Sequence, residues 1–221
     1  MASWMIHFRV ADCIKDSIKN VDIEKFIVGN IAPDCGEFGE DRKTLNPPKY
    51  ITHWKNPKDR QKSLKEEFFI KYLADGEMNS HKSFYLGYYV HLLTDILWKK
   101  LIYIPTKEKY LDKFDNEYEF NSKIKADWLN IDHMFLRDND FTTFKIFSQI
   151  KLFPNVYFNY YSGKAIESKI IKISSYYTNF SSNLDREYLF LNKEQVDDFI
   201  VQAVTKIKED LTIKGILENN L

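Results

Sequence analysis

The longest apolar run of the chain, Phe84 to Trp98, is interrupted by one histidine and one aspartate, His91 and Asp95. Phe84, Tyr88, His91, Asp95 and Trp98 follow steps of three and four residues, the spacing that stacks side chains on one helical face. The segment between Ser83 and Tyr103 is therefore expected to be a helix, stopped by Pro105. It is shorter than a membrane span, and it carries two ligand types that hydrocarbon would not tolerate. An ionised Asp95 on such a face is costly to bury without a cation or a donor, and a neutral His91 as its lone partner leaves most of its acceptor capacity unmet. A bound dication resolves both demands. The i, i+4 spacing puts the two side chains about 6 Å apart, within reach of one metal ion.

The rest of the chain points to helices as well. Of 221 residues, 44% are apolar and 16% aromatic, enough for a packed core, whereas seven Gly and six Pro are too few for a sandwich of many short strands. An all-α fold is expected, as one domain of roughly seven helices spanning residues 1–221. Apolar periodicity predicts helices from Trp4 to Lys19, from Gln61 to Asp75 with Gly76 as the terminating residue, and over 107–137 with a break at the Asp/Asn cluster 138–140. Two aromatic-rich helices follow up to Tyr177. Asn192 and Gln195 form a capping box for a last helix with the stripe Val196, Phe199, Ile200, Ala203, Ile207 and Leu211. Residues 29–57, with four prolines and three glycines, read as a long irregular loop, which is uncommon in a compact domain unless it shapes a site.

Charge and cysteine usage exclude several classes. Thirty-two basic residues balance 32 acidic ones, so no general field attracts nucleic acid or an anionic membrane. Cys13 and Cys35 make no C-x-x-C pair and no disulfide framework, which fits a reducing compartment. His7, Arg9 and Asp12 interrupt the only N-terminal apolar stretch, so no signal peptide is read and a soluble, cytoplasmic protein is expected. The Gly-x-Ser-x-Gly elbow, phosphate-loop and dinucleotide signatures are absent, as is the His-Asp dipeptide of HD-type phosphohydrolases.

No histidine follows position 133, so candidate chemistry lies in the front of the chain. His7 falls on the inward stripe of the first helix, and the loop supplies Asp34 and His53. Each alone has an ordinary structural explanation; together with His91 and Asp95 they form a candidate metal set. His81 lies off the ligand face and reads as a residue at the helix start.

These residues lie in recognisable segments: Trp4-Met5-Ile6-His7, Gly29-Asn30-Ile31-Ala32-Pro33-Asp34, Thr52-His53-Trp54 and the run from Gly87 to Trp98. Over roughly the first hundred residues the chain resembles the zinc-dependent phospholipase C family, within the phospholipase C and single-strand nuclease superfamily, and particularly its short bacterial branch. The resemblance implies an all-α fold with clustered zinc ions that hydrolyse phosphate esters. It implies one zinc on Asp34, His53, His91 and Asp95, and a second held by His7 with Asp95 bridging. Secreted members use the amine of a mature N-terminal Trp as a ligand, whereas Trp4 follows three residues here. The family's downstream His-x-x-x-Glu pair has no counterpart, so a third zinc would need substitutes such as Asp127, Asp132 and His133.

Two zincs would acidify a water for in-line attack on phosphorus, with Asp34 as metal ligand and general base. Trp4, Trp54, Tyr88 and Trp98 are candidate pocket walls. The expected activity is phosphodiester hydrolysis; the alternative is a non-catalytic helical module that retains part of the cluster. Phe84 to Trp98 contains no basic residue, and Lys49, Lys55, Lys58 and Arg60 are offset by Glu37, Glu40, Asp41 and Asp59. A small or lipid-type phosphoester is therefore favoured over nucleic acid as the partner.

Overall fold

The computed structural model describes residues 1–39, 44–180 and 183–218; Glu40 and Asp41 lie outside them. The architecture is helical. In chain order the helices are α1 (Trp4–Lys15), α2 (Ile23–Gly29), the short α3 (Lys49–Thr52), α4 (Lys65–Tyr72), α5 (Ser80–Trp98), α6 (Ile104–Tyr110), α7 (Glu117–Asp138), α8 (Thr142–Gln149), α9 (Ala165–Thr178) and α10 (Lys193–Ile213). A two-stranded antiparallel ribbon pairs Glu37 with Asn46 and Phe38 with Leu45. No helix among the described residues is long and apolar enough to cross a membrane.

The apolar run predicted from sequence is the central element. From Ser83 to Thr94 only Tyr85 escapes full burial, and α5 packs against α1, α2, α4 and α10. Phe68, Tyr72, Tyr88 and Phe158 form an aromatic cluster at its N-terminal half, and Trp98 packs edge-on against Trp128 and Phe199 at its C-terminal end. At the chain's end the Asn192–Gln195 capping box forms as expected, and the six stripe residues of α10 are buried.

Three expectations need correction. Pro105 does not stop the central helix, because a π-helical turn over Lys99–Tyr103 carries it into α6. There the Ile104 N–H bonds the Lys99 carbonyl, and this wider turn accommodates the proline that an unbroken α-helical ladder would not. The helix expected from Gln61 begins at Lys65, since Leu64 donates its N–H to the Trp54 carbonyl and Ser63 bridges Lys55. Its end is earlier than read: the helix stops at Tyr72 with Leu73 as its cap, and Gly76, at φ +73°, lies in the turn beyond it. The loop 29–57 is not structureless: a 3-10 turn (Ala32–Asp34), the ribbon and α3 divide it.

The contact between α2 and α5 brings the start of this loop against the central helix. A Cβ on Gly29 would lie 2.0 Å from the Phe84 carbonyl oxygen, and one on Gly87 would lie 2.0 Å from that of Phe26. Each glycine costs about 1 kcal/mol relative to alanine in a helix interior. In return the two backbones touch, and Asn30 reaches α5, its Nδ2 donating to the Gly87 carbonyl at 3.1 Å. Gly87→Ala is expected to destabilise the protein by about 2 kcal/mol or more, because the helices must separate despite the gain in helix propensity. Urea unfolding measures this, and a variant as stable as the parent would refute the close crossing.

Candidate metal centre

His91 projects from the middle of α5 and is fully buried. Its Nδ1–H donates to the Asn30 carbonyl at 2.8 Å, so its Nε2 lone pair points the other way. His53 caps the C-terminus of α3, where its Nδ1 lies 2.9 Å from Thr52 Oγ1, whose own proton is directed at the Lys49 carbonyl. With Nδ1 engaged there, the Nε2 of His53 faces that of His91 at 3.4 Å. Tyr88 fixes this corner by donating its hydroxyl to the Thr52 carbonyl. Trp54, the next residue, takes φ +45°, a left-handed conformation uncommon for a bulky side chain, and turns the chain so that its ring packs on Phe68.

Two carboxylates complete the group. Asp34, at the end of the 3-10 turn, sets Oδ1 3.5 Å from His53 Nε2, while its Oδ2 accepts the indole N–H of Trp4 at 3.0 Å. Asp95 divides its oxygens: Oδ2 lies 3.6 Å from His53 Nε2 and 3.8 Å from His91 Nε2, and Oδ1 lies 3.5 Å from His7 Nε2. The backbone N–H of Ala2 also donates to that Oδ1, at 2.8 Å. His7, on α1, stacks on His91 with ring centroids 3.8 Å apart. It is fully buried, and neither of its ring nitrogens has a hydrogen-bond partner.

The titration directions follow from this packing. Burial lowers the His91 pKa to about 3, reinforced by the neighbouring His7, so its imidazole is neutral. Desolvation opposes ionisation of Asp34, but the bond to His53 and the imidazoles around it hold the carboxyl below the usual range. Asp95 is held low in the same way against its own burial, by His7 and His91. The neutral His91 imidazole facing that of His53, a third ring without a hydrogen-bond partner and two carboxylates in one largely buried space form a ligand set with few donors to satisfy it.

These residues fit zinc. Ligand atoms about 2.0–2.1 Å from a tetrahedral ion sit about 3.3–3.4 Å apart, close to the observed 3.4–3.8 Å separations. Two sets, His7–His91–Asp95 and Asp34–His53–His91, each place their ligand atoms within 4.8 Å of one another. All five residues singled out from sequence are therefore brought together.

The zinc dependent phospholipase C family model matches residues 6–99. That span is similar to the zinc-dependent phospholipase C family. All five clustered side chains fall inside that span, although neither a curated protein nor a solved structure matches the chain.

Beyond the phospholipase C segment the structure departs from the sequence reading. Asp127, Asp132 and His133 join neither metal-capable group among the described residues. Asp127 pairs with Arg186 at 2.8 Å and accepts the Phe190 N–H at 2.8 Å. Asp132 accepts the hydroxyls of Ser3, at 2.8 Å, and Tyr177, at 2.9 Å, and His133 stacks on Phe180. All three lie on α7, but their roles there are structural. Of the expected pocket walls only Trp4 borders the cleft; Tyr88 and Trp98 are core, and Trp54 packs away against Phe68 and Tyr72. His81 sits at the start of α5 against Tyr157, away from the cluster, as expected.

The cleft itself, about 1170 Å³, opens on Asp34, His53 and Asp95. Seven lysines line it against four acidic residues, including Lys99, Lys125, Lys169 and Lys172 from outside the loop. Counting charge segment by segment missed this, because the fold gathers lysines that are far apart in sequence.

Asp132 gives a test of sign. Burial raises its pKa to about 7, so in the window from about 4 to 7 the folded protein holds a proton that the unfolded chain has lost. Its contribution is complete below about pH 4 and is lost as pH rises through 7. Asp132→Asn should therefore gain stability relative to the parent across that window, by at most about 1.4 kcal/mol per pH unit. Denaturant melts at several pH values check this, and a difference that does not vary with pH would contradict it.

Proposed function

We propose that the chain is a zinc-dependent phosphodiester hydrolase of the phospholipase C type. One observation carries the reading: two buried imidazole Nε2 atoms, on His53 and His91, face each other with two carboxylates beside them. We assign Asp34, His53, His91 and Asp95 to one zinc, and His7 with Asp95 to a second, Asp95 bridging through its separate oxygens. Bound there, the zinc pair would bring a water towards neutral pKa and neutralise charge growing on the phosphoryl oxygens. Asp34 remains ionised at neutral pH, and with Oδ2 anchored on Trp4 it is oriented to take a proton from the attacking water. Asn30 fixes the tautomer of His91 and Thr52 engages the Nδ1 of His53, so both rings present Nε2 to the cluster. The substrate class that this reading favours is a lipid-type or small phosphoester rather than a polynucleotide.

Protein purified without added metal is expected to carry about two zinc ions per chain, from the five-ligand set. Asp95→Asn should lose both and lower the melting temperature of the loaded protein; unchanged zinc content would sink the bridging role. His7→Leu should keep about one zinc and leave the metal-free protein at least as stable, because it removes a buried group that costs about 1–3 kcal/mol unpaired. A metal-free His7→Leu protein markedly less stable than the parent would make His7 a structural residue instead.

Turnover has its own test. Zinc-loaded protein should hydrolyse bis(p-nitrophenyl) phosphate, chelation should abolish the activity, and Asp34→Ala should lower kcat by about a hundredfold or more. If the loaded parent is no faster than an Asp34→Ala, His91→Ala double variant, the non-catalytic metal-binding module is the reading that stands.

A further inference from the structure

The lysines around the cleft are more numerous than its structure requires. Lys49, Lys55, Lys99, Lys125, Lys169 and Lys172 all line it, and none has a carboxylate within salt-bridge distance among the described residues. Lys107, which also borders it, is paired with Glu117 at 2.7 Å. The contacts the six do make are uncharged: Lys99 donates to Gln61 Oε1 at 2.5 Å, Lys169 to the Gly36 carbonyl at 3.4 Å and Lys49 to the Met1 sulfur at 3.3 Å. Lys49 is an electrostatic neighbour of both Lys55 and Lys169, so it joins the lysines beside Asp95 to those beside Asp34. In a chain of zero formal net charge this concentration is local, and it repels itself unless an anion enters. Three of the six, Lys125, Lys169 and Lys172, lie outside the segment matched by the family.

The same cleft has an aliphatic border. Ile96, Ile104 and Leu129 are each 37–38% exposed there, next to the buried Leu92. A polynucleotide tract would instead call for exposed aromatic faces to stack its bases, and Phe38 is the one strongly exposed aromatic among the described lining residues.

We infer that the cleft selects phospholipids whose headgroup carries net negative charge, the lysines holding the headgroup and Ile96, Ile104 and Leu129 meeting the apolar end. This rests on the hydrolase reading above and adds charge selectivity to it. The attraction of successive lysines to an anionic lipid adds up, so three acting together give about tenfold discrimination or more.

The test uses the zinc-loaded full chain on mixed micelles of a neutral detergent with either phosphatidylglycerol or phosphatidylcholine. Phosphatidylglycerol should be cleaved about tenfold faster or more, and raising salt from about 0.05 M to about 0.5 M should erase the advantage. Replacing three exposed or half-exposed side chains, Lys49→Gln, Lys55→Gln and Lys99→Gln together, should bring the ratio of the two rates close to unity. Equal rates for the two lipids, or a ratio that neither salt nor the triple variant moves, would overturn the inference. So would faster digestion of a single-stranded oligonucleotide than of either lipid. If neither lipid nor bis(p-nitrophenyl) phosphate is cleaved, the hydrolase reading fails, and vesicle flotation then judges the cleft by itself. Binding to phosphatidylglycerol vesicles but not phosphatidylcholine vesicles, lost in the triple variant, would support it, and equal binding or none would refute it.

Discussion

The close crossing of α2 and α5 is the constraint on which the centre depends. Two helices normally pack 8–10 Å apart because side chains intervene, yet here Gly29 and Gly87 remove the side chains at the contact and let backbone meet backbone. Asn30 follows Gly29 directly, so its carbonyl arrives at the Nδ1 of His91. The 3-10 turn that bears Asp34 comes within four residues, and Tyr161 holds that turn by donating its hydroxyl to the Ala32 carbonyl at 2.6 Å. One apposition thus sets the tautomer of one candidate ligand and the approach of another. Moving the helices apart by the width of a methyl group would disturb both, while most of the core elsewhere kept its contacts.

Burial then determines what the cluster can be. A carboxylate removed from water needs several donors, and the two here receive one backbone N–H, from Ala2, and one indole N–H, from Trp4. Protonated imidazoles would supply more, but burial drives His91 to the neutral form, and its Nδ1–H is committed to Asn30. The site accordingly lacks positive charge at its middle while its ligand atoms are largely buried at the floor of the cleft, a combination that a dication relieves and that proton transfers among these five residues do not. The same reasoning separates the cluster from Asp132, whose burial raises its pKa to about 7 against the two hydroxyl bonds that it accepts, so that it can hold a proton without any cation.

Much of this was legible in the sequence where the information is local. The three-and-four spacing through Phe84, Tyr88, His91, Asp95 and Trp98 marks a helix with ligands on one face, and the capping box at Asn192 marks the start of another. The order of His7, Asp34, His53 and the His91–Asp95 pair carried the metal set, because the family pattern preserves order across a loop that spacing cannot span. What could not be read arises from contacts between distant segments. Nothing near Gly29 or Gly87 announces that they face each other's helices. Pro105 looked like a terminator because a wider helical turn leaves no mark in the apolar periodicity. Tyr88 shares the ligand face and is core, as its apolar surroundings favour, but the sequence did not show that its hydroxyl reaches the Thr52 carbonyl. Asp127, Asp132 and His133 had suitable chemistry, but partners supplied by Arg186, Ser3, Tyr177 and Phe180 engage them first.

The three histidines of the centre differ in how they are held, and the difference assigns α1 a specific part. His91 and His53 are each oriented by a bond at Nδ1, so their aim is set within the ring's own surroundings. His7 has no such bond; stacking on His91 fixes its plane, and the docking of α1 fixes the rest. Besides a buried apolar face of Met5, Ile6, Phe8, Val10, Ala11 and Ile14, that docking has several polar anchors. Ser3 both caps the helix and donates to Asp132, Tyr177 accepts the Met5 N–H while donating to the same carboxylate, and Arg9 pairs with Asp197 at 2.5 Å. All of these partners come from α7, α9 and α10, beyond the segment matched by the phospholipase C family. The matched segment contributes the candidate ligands, and the later helices hold α1 in the position that brings His7 to Asp95. A metal position that includes His7 consequently depends on the whole helical assembly, whereas His53 and His91 take their orientation from Thr52 and Asn30, within the first hundred residues.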